Sequence, residues 1–213
     1  MQKEIPQLSN VEQRVLGSLI EKSRTTPDYY PMTLNSITLA CNQKSSRNPI
    51  VQFSEDEVQK ALNSLKGISL VSTAIGGGSR TIKYKHNLTT VFPMHDGQLA
   101  ALCVLLLRGP QTAGEINTNS GRIYDFGSLD AVIETIDSLM QNDNLFVQEL
   151  PRKAGQKERR FIHLFGHTPD QQDSIPAQNN SNETQSMEEK INHLENEILN
   201  LKTRIELLEQ QIK

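Results

Sequence analysis

Three groups of cations have the residue types and spacing needed to hold phosphates. Arg80, Lys83 and Lys85, with His86 beside them, lie in a strand-like run without an acidic neighbour, and Lys44 and Arg47 lie in a polar loop ahead of a helix-like segment. A second strand-like region carries Arg152, Lys153, Lys157, Arg159 and Arg160 against only Glu149 and Glu158. Phosphate contacts supply most of the affinity for duplex DNA and fix orientation on it, so these cations are the candidate DNA contacts. Exposed hairpins also carry Lys and Arg simply for solubility, which is the competing explanation.

Catalytic chemistry is not expected. Gly76-Gly77-Gly78-Ser79 lacks the spacing and the lysine of a phosphate-binding P-loop and reads as a hairpin turn. His86, His95, His163, His167 and His193 never stand at i, i+4 spacing or beside a cysteine, so each reads as an ordinary surface or half-buried histidine. Asp125 and Asp130 flank a loop as a possible carboxylate pair, but capping and solubility account for them equally well. Cys41 and Cys103 lie in apolar helical stretches and read as reduced core residues, with neither the C-x-x-C nor the Cys/His spacing of a metal site. The expectation is therefore no enzyme, no cofactor and no metal.

Those cations need elements to position them, and the chain supplies the same set twice. Ser9 and Glu12 have capping-box spacing ahead of Val15, Leu16, Leu19 and Ile20 on one helical face. Pro27 and Pro31 end that helix, and Thr33 caps a short one carrying Leu34, Ile37, Ala40 and Cys41. Ser54 and Glu57 repeat the capping box before Val58, Ala61, Leu62 and Leu65. Strand-like runs over 69–75 and 80–86 flank the glycine turn, and alternation places Ile82 and Tyr84 on one face. From residue 98 the order recurs: an apolar helix stopped at Arg108-Gly109-Pro110, a helix capped by Thr112 and Glu115, a third capped by Ser128, and a hairpin over 145–150 and 159–165. Ser54, Val58, Leu62 and Leu65 correspond to Ser128, Val132, Ile136 and Leu139 at one constant offset, which points to an internal duplication.

Three helices followed by a hairpin is the order of a winged helix, whose third helix can enter the major groove while the hairpin touches backbone. The predicted fold class is mainly α with small β-hairpins, an α+β protein, built as tandem winged-helix domains followed by a C-terminal coiled coil. The predicted boundaries are 1–93 and 94–166 for the two winged helices, 167–186 for a flexible linker rich in Gln, Asn, Ser and Pro, and 187–213 for the coil. The third helices argue against base reading: the first opens Ser54-Glu55-Asp56-Glu57, and the second carries Asp130, Glu134 and Asp137 with no basic residue. Capping and the helix dipole explain Glu55 and Glu57. Asp130, Glu134 and Asp137 instead mark a protein-binding face.

The coil has Ile191, Ile198, Ile205 and Ile212 at a positions and Met187, Leu194, Leu201 and Leu208 at d positions, the choice that favours two parallel strands. Its flanking charges pair Lys190 with Glu195, Glu197 with Lys202, and Arg204 with Glu209 across such a dimer.

The stretch Tyr30-Pro31-Met32-Thr33-Leu34-Asn35, continuing through Ala40-Cys41-Asn42-Gln43-Lys44-Ser45 to Arg47-Asn48-Pro49, resembles the YceH-like family of uncharacterised bacterial proteins. So do Leu106-Leu107-Arg108-Gly109-Pro110-Gln111-Thr112 and Leu150-Pro151-Arg152 with Gly155-Gln156. The resemblance spans nearly the whole chain and implies a tandem winged-helix fold in bacteria. It implies no activity.

Length and charge set the remaining bounds. The chain has 213 residues, 36% of them hydrophobic, and no tryptophan, which suits small helical cores better than one large enzyme core. Its start, MQKEIPQLSN, shows no apolar signal region, and the nine-residue apolar run at 99–107 is too short to span a bilayer, so the expected location is cytoplasmic, with no membrane contact. The net charge of −3 hides a gradient. Residues 1–93 hold 11 Lys/Arg against 7 Asp/Glu, whereas 94–167 hold 7 against 9 and 168–213 hold 4 against 9. A polyanion should therefore meet the first segment. The leading expectation is a homodimeric, transcription-regulator-type protein that touches double-stranded DNA through basic hairpins. The alternative is an adaptor whose tandem winged helices hold protein partners and bind no DNA.

Overall fold

Hydrophobic periodicity and capping chemistry build seven α-helices, one 3-10 turn at Pro27–Tyr29 and six short strands among the residues described by the computed structural model: 4–74, 81–141, 145–152 and 158–166. The glycine turn, Arg80, Lys153, Lys157, the linker at 167–186, His167, His193 and the whole heptad segment at 187–213 lie outside the described residues. The first half contains α1 (Asn10–Thr25), β1 (Met32–Thr33), α2 (Leu34–Cys41), α3 (Glu55–Gly67), β2 (Val71–Ala74) and β3 (Lys83–His86). A single turn, α4 (Leu88–Val91), leads to the second half, with α5 (Asp96–Arg108), β4 (Gln111–Thr112), α6 (Ala113–Ser120), α7 (Leu129–Gln141), β5 (Val147–Leu150) and β6 (Arg160–His163). The fold is mixed α+β, mainly helical, with two small antiparallel sheets.

The helix starts follow the side-chain chemistry read from the sequence. Ser9, Ser54 and Thr112 accept from the backbone three residues on, while Glu12, Glu57 and Glu115 reach back to close capping boxes. Ser128 accepts from the Ala131 N–H at 3.2 Å and begins α7. α3 and α7 stand at the same constant displacement along the chain, and the buried Val58, Leu62 and Leu65 match Val132, Ile136 and Leu139.

Each sheet holds one strand more than the hairpin expected from the sequence. The orders are β1-β3-β2 and β4-β6-β5, with Met32 opposite Tyr84 and Gln111 opposite Phe161. β1 and β4 are two residues long and run straight into the N-caps Thr33 and Thr112. A strand so short has no alternation to read. α4 is too short for helical periodicity and also carries no sequence signal. Ile82 departs from expectation as well: it precedes β3 and is 51% exposed, whereas Tyr84 is buried and donates to Gln59 Oε1 of α3 at 3.2 Å.

The two halves share one continuous core within a compact unit spanning Met1–Thr168. α5 is buried on every side from Gly97 to Leu107, as expected of a helix apolar all round. α1 packs on it at a point where side-chain volume is excluded. A Cβ on Gly17 would lie 2.9 Å from Leu107 Cδ2 and 3.1 Å from Leu106 Cβ, so glycine is what permits the approach. Phe92, Phe146 and Phe165 then join the α4 connector to the second hairpin, with Phe92 edge-on to Phe146 at 5.4 Å. The Leu8 N–H donates to the Phe165 carbonyl at 2.7 Å and ties the N-terminal segment to the second half.

Each sheet also ends on a histidine in equivalent register: His86 opposite Val71 and His163 opposite Val147. Burial pushes both imidazoles down to about 4, and Arg24 adds to the effect at His86. The Nδ1 atoms of both rings have no hydrogen-bond partner among the described residues. Both rings are thus neutral in the folded protein while the unfolded chain protonates them below the ordinary value of 6.5. Between those limits the unfolded state binds more protons, so stability falls as pH falls, by up to about 1.4 kcal/mol per pH unit for each ring. Urea unfolding at pH 7 and pH 5 should therefore show a marked loss of stability, and His163→Phe should remove about half of the slope. Equal stability at the two pH values would contradict the burial of neutral histidines.

Candidate nucleic-acid interface

The loop between α2 and α3, rich in polar residues, is built inward around three charged side chains. Arg47 has a fully buried side chain and donates to both oxygens of Glu21, to Oε1 at 3.1 Å and Oε2 at 2.7 Å. The same guanidinium donates to the Ala40 carbonyl through Nε at 3.1 Å and Nη2 at 2.9 Å. Arg14, also buried, donates to the carbonyls of Cys41 at 3.1 Å and Pro49 at 2.7 Å. The last carbonyls of α2 are therefore capped by arginine. Burial alone would raise the Glu21 carboxyl, but the bidentate bond and charge of Arg47, with Lys22 at 3.2 Å, hold it below the usual carboxylate value.

Arg47 is not the phosphate contact that its place in a polar loop predicts, because its donors are spent on Glu21, Ser46 and Ala40 inside the protein. Sequence reading also passed over Arg14 and Glu21. They stand seven residues apart in α1, hence on one helical face, which lies opposite the apolar face of Val15, Leu16, Leu19 and Ile20 and is nevertheless buried. Opposite charges at that spacing were the available signal. Lys44, in the same loop, is exposed as a phosphate contact requires.

On the first hairpin Lys85 is exposed and Lys83 half-buried, and neither forms an ion pair among the described residues. His86 does not join this cationic group. Its backbone N–H donates to Tyr30 Oη at 2.7 Å, its Nε2 lies 3.3 Å from Ser23 Oγ, and the ring is neutral. The second hairpin differs in its pairing. Arg159 meets Glu149 at 3.4 Å and sits 5.8 Å from the Phe161 ring centroid, while Arg160 donates to Glu115 at 3.1 Å and to the Pro110 carbonyl at 2.9 Å. Exposed pairs of this kind are weak, on the order of 1 kcal/mol or less, so Arg159 can exchange partners. Arg160 is anchored by backbone as well. Arg152 is exposed.

The third helices present acid at their starts. Glu55, Asp56 and Glu57 are exposed on α3, with Glu57 closing its capping box and Glu55 accepting from Asn35 Nδ2 at 3.1 Å. Further along, Lys60, Asn63 and Lys66 face solvent, so the acidic character is confined to the first turn. On α7 Asp130 and Glu134 are exposed and Asp137 is half-buried, and Leu129 at the start of the helix is exposed. No cation offsets this acidic face within α7 itself.

Residues 8–156 match a family model described as "Protein of unknown function, DUF480". The chain is 42% identical over 206 residues to a UPF0502 protein of Shewanella loihica, covering 93% of this chain and 96% of that protein. It is 41% identical over 206 residues to a UPF0502 protein of Cellvibrio japonicus, covering 94% and 93%. A UPF0502 protein of Shewanella baltica is 45% identical over 164 residues, covering 75% and 74%.

Removing one partner of a buried ion pair leaves the other uncompensated, at a cost of about 3–5 kcal/mol. Arg47→Ala should destabilise the protein by that order in urea, and combining Arg47→Met with Glu21→Leu should recover much of the loss. Because the folded carboxyl of Glu21 is held down, its stabilisation is present above the ordinary carboxylate value and is lost as pH falls further. Wild-type stability for Arg47→Ala would show that the pair is dispensable.

Proposed function

The chain belongs to the DUF480 family, and we propose that it acts there as a duplex-DNA-associated, non-catalytic protein of transcription-regulator type. The observation that carries this reading is the repeated unit of helix, short strand, helix, helix and two further strands, whose first copy leaves Lys83 and Lys85 without an ion pair among the described residues. In this reading the two copies are winged helices, and phosphates bind the first hairpin and Lys44 while α3 lies along the groove. The surplus of positive charge in residues 1–93 supports the first copy as the DNA-facing half. Acid in the first turn of α3 argues for backbone contact over base reading.

A second reading has its own observation. The solvent face of α7, with Asp130, Glu134 and Asp137, suits a basic protein partner and repels phosphate, which fits an adaptor.

Self-association is part of the proposal and rests on the heptad sequence, through Met187, Ile191, Leu194, Ile198, Leu201, Ile205, Leu208 and Ile212. Two copies raise avidity for one duplex when both can reach it. A cytoplasmic location is likewise proposed. Among the described residues, no helix is long and apolar enough to cross a membrane.

A duplex titration over a range of salt concentrations tests the main reading. Replacing Lys83 and Lys85 by Gln should weaken binding similarly for unrelated sequences and reduce the log–log salt slope by roughly 2, about 0.9 per lost phosphate contact. Absence of duplex binding by the unmodified protein at low salt would sink the DNA reading in favour of the adaptor. Self-association has a separate check. Leu201→Pro should convert a sedimenting dimer to a monomer, and an unmodified protein already monomeric at micromolar concentration would refute the dimer.

A further inference from the structure

Four helices end at one place. The C-terminal ends of α1, α2, α5 and α6 border a cleft of about 480 Å³ whose lining includes Lys22, Lys44, Arg108 and Arg122. The duplication produces this arrangement, since α1 with α2 in one half correspond to α5 with α6 in the other. Lys44 follows the end of α2, and Arg122 follows the end of α6.

The simplest account of these cations is that they neutralise helix ends, each of which carries roughly half a negative charge. The hydrogen bonds do not support it. Arg47 and Arg14 already take the Ala40 and Cys41 carbonyls of α2. Asn48 takes the last two carbonyls of α5, with its backbone N–H 3.0 Å from Leu107 O and its Nδ2 3.3 Å from Arg108 O. The Ser120 carbonyl of α6 accepts from Ile123 and Tyr124, and the Lys22 carbonyl of α1 accepts from Thr26. Glu21, the carboxylate in the cleft wall, is taken by Arg47 and Lys22. Lys44, Arg108 and Arg122 consequently face one concavity with neither a carboxylate nor a helix end assigned to them among the described residues.

We propose that this cleft binds a small molecule through a phosphate group. Two guanidinium groups give the planar, paired donors that match phosphate oxygens, and Lys44 adds a point charge. Ser45 and Ser46 bring hydroxyls to the same wall, and Val104 and Leu107 of α5 form an apolar floor for the rest of the ligand. The volume lies in the range of small-molecule sites. Such a ligand would bridge the two halves, because Lys44 comes from one and Arg108 and Arg122 from the other. The site shares Lys44 with the duplex reading but adds a ligand that reading does not contain, and it does not depend on the hairpin lysines.

Calorimetric titration of the full-length protein at constant ionic strength tests the site with three probes: inorganic phosphate, adenosine 5′-monophosphate and adenosine. Saturable binding of either phosphate probe, but not of adenosine, is expected. Tighter binding of the nucleotide identifies a phosphate-bearing metabolite, and tighter binding of inorganic phosphate identifies the free anion; both support the site. Arg122→Gln and Lys44→Gln should each weaken binding about tenfold or more, as loss of a charged hydrogen bond does, while Lys83→Gln with Lys85→Gln leaves it unchanged. Thermal unfolding without ligand separates lost binding from lost fold, since both substituted positions are exposed. No saturable phosphate binding, or equal binding by the variants, overturns the proposal. So does a short duplex that displaces the phosphate probe and itself loses affinity on Arg122→Gln, because the cleft would then be part of a DNA surface.

Discussion

The buried guanidinium of Arg47 organises this molecule out of proportion to its size. It clamps Glu21 of α1 through both carboxylate oxygens and caps the end of α2 through the Ala40 carbonyl. One side chain thus fixes two helices and the loop that follows them. That loop then reaches the other half, because Asn48, next in sequence to Arg47, takes the terminal carbonyls of α5. A buried pair of this kind contributes little net stability compared with an apolar replacement, since desolvation offsets much of the attraction. Its effect is geometric: the donors of a planar fork admit few arrangements of the carboxylate and carbonyl they bind. Docking of α1 on α5, which Gly17 allows at close range, is therefore held in register by charge as well as by packing.

Much of the fold was legible because it depends on local chemistry. Capping boxes at Ser9, Ser54 and Thr112 mark helix starts with side chains close in sequence, and the continuous apolar run of α5 announces a helix surrounded by protein. The features that escaped are those decided at long range. β1 and β4 exist because β3 and β6 offer an open edge beside Thr33 and Thr112, and two residues carry no periodicity of their own. The same limit applies to the candidate site. A sequence shows that Arg47 and Arg160 are positive but not that Glu21 and Glu115, each more than 20 residues away, will meet them.

The two halves carry different electrostatics on one repeated framework. Both sheets keep a neutral histidine at the same register, and both third helices keep the same buried positions. What changed is the solvent side. The first hairpin carries lysines without ion pairs among the described residues, whereas the second pairs Arg159 and Arg160 with Glu149 and Glu115. α3 confines its carboxylates to the first turn, where the helix dipole stabilises them, but α7 distributes Asp130, Glu134 and Asp137 along about two turns. A shared fold therefore does not imply a shared partner.

Where positive charge becomes available depends on which helix-end carbonyls other groups satisfy. Had Lys44 or Arg108 been needed to cap α2 or α5, their charge would be accounted for structurally and the space between the halves would be close to neutral. Arg14, Arg47 and Asn48 do that capping instead, using a neutral amide at α5 and buried arginines at α2. The remaining cations stand at the rim of a concavity, where a low-dielectric wall strengthens their field. Mutual repulsion among them is the cost, and a bound anion would relieve it. The same three residues that order the loop therefore leave the junction between the halves positively charged.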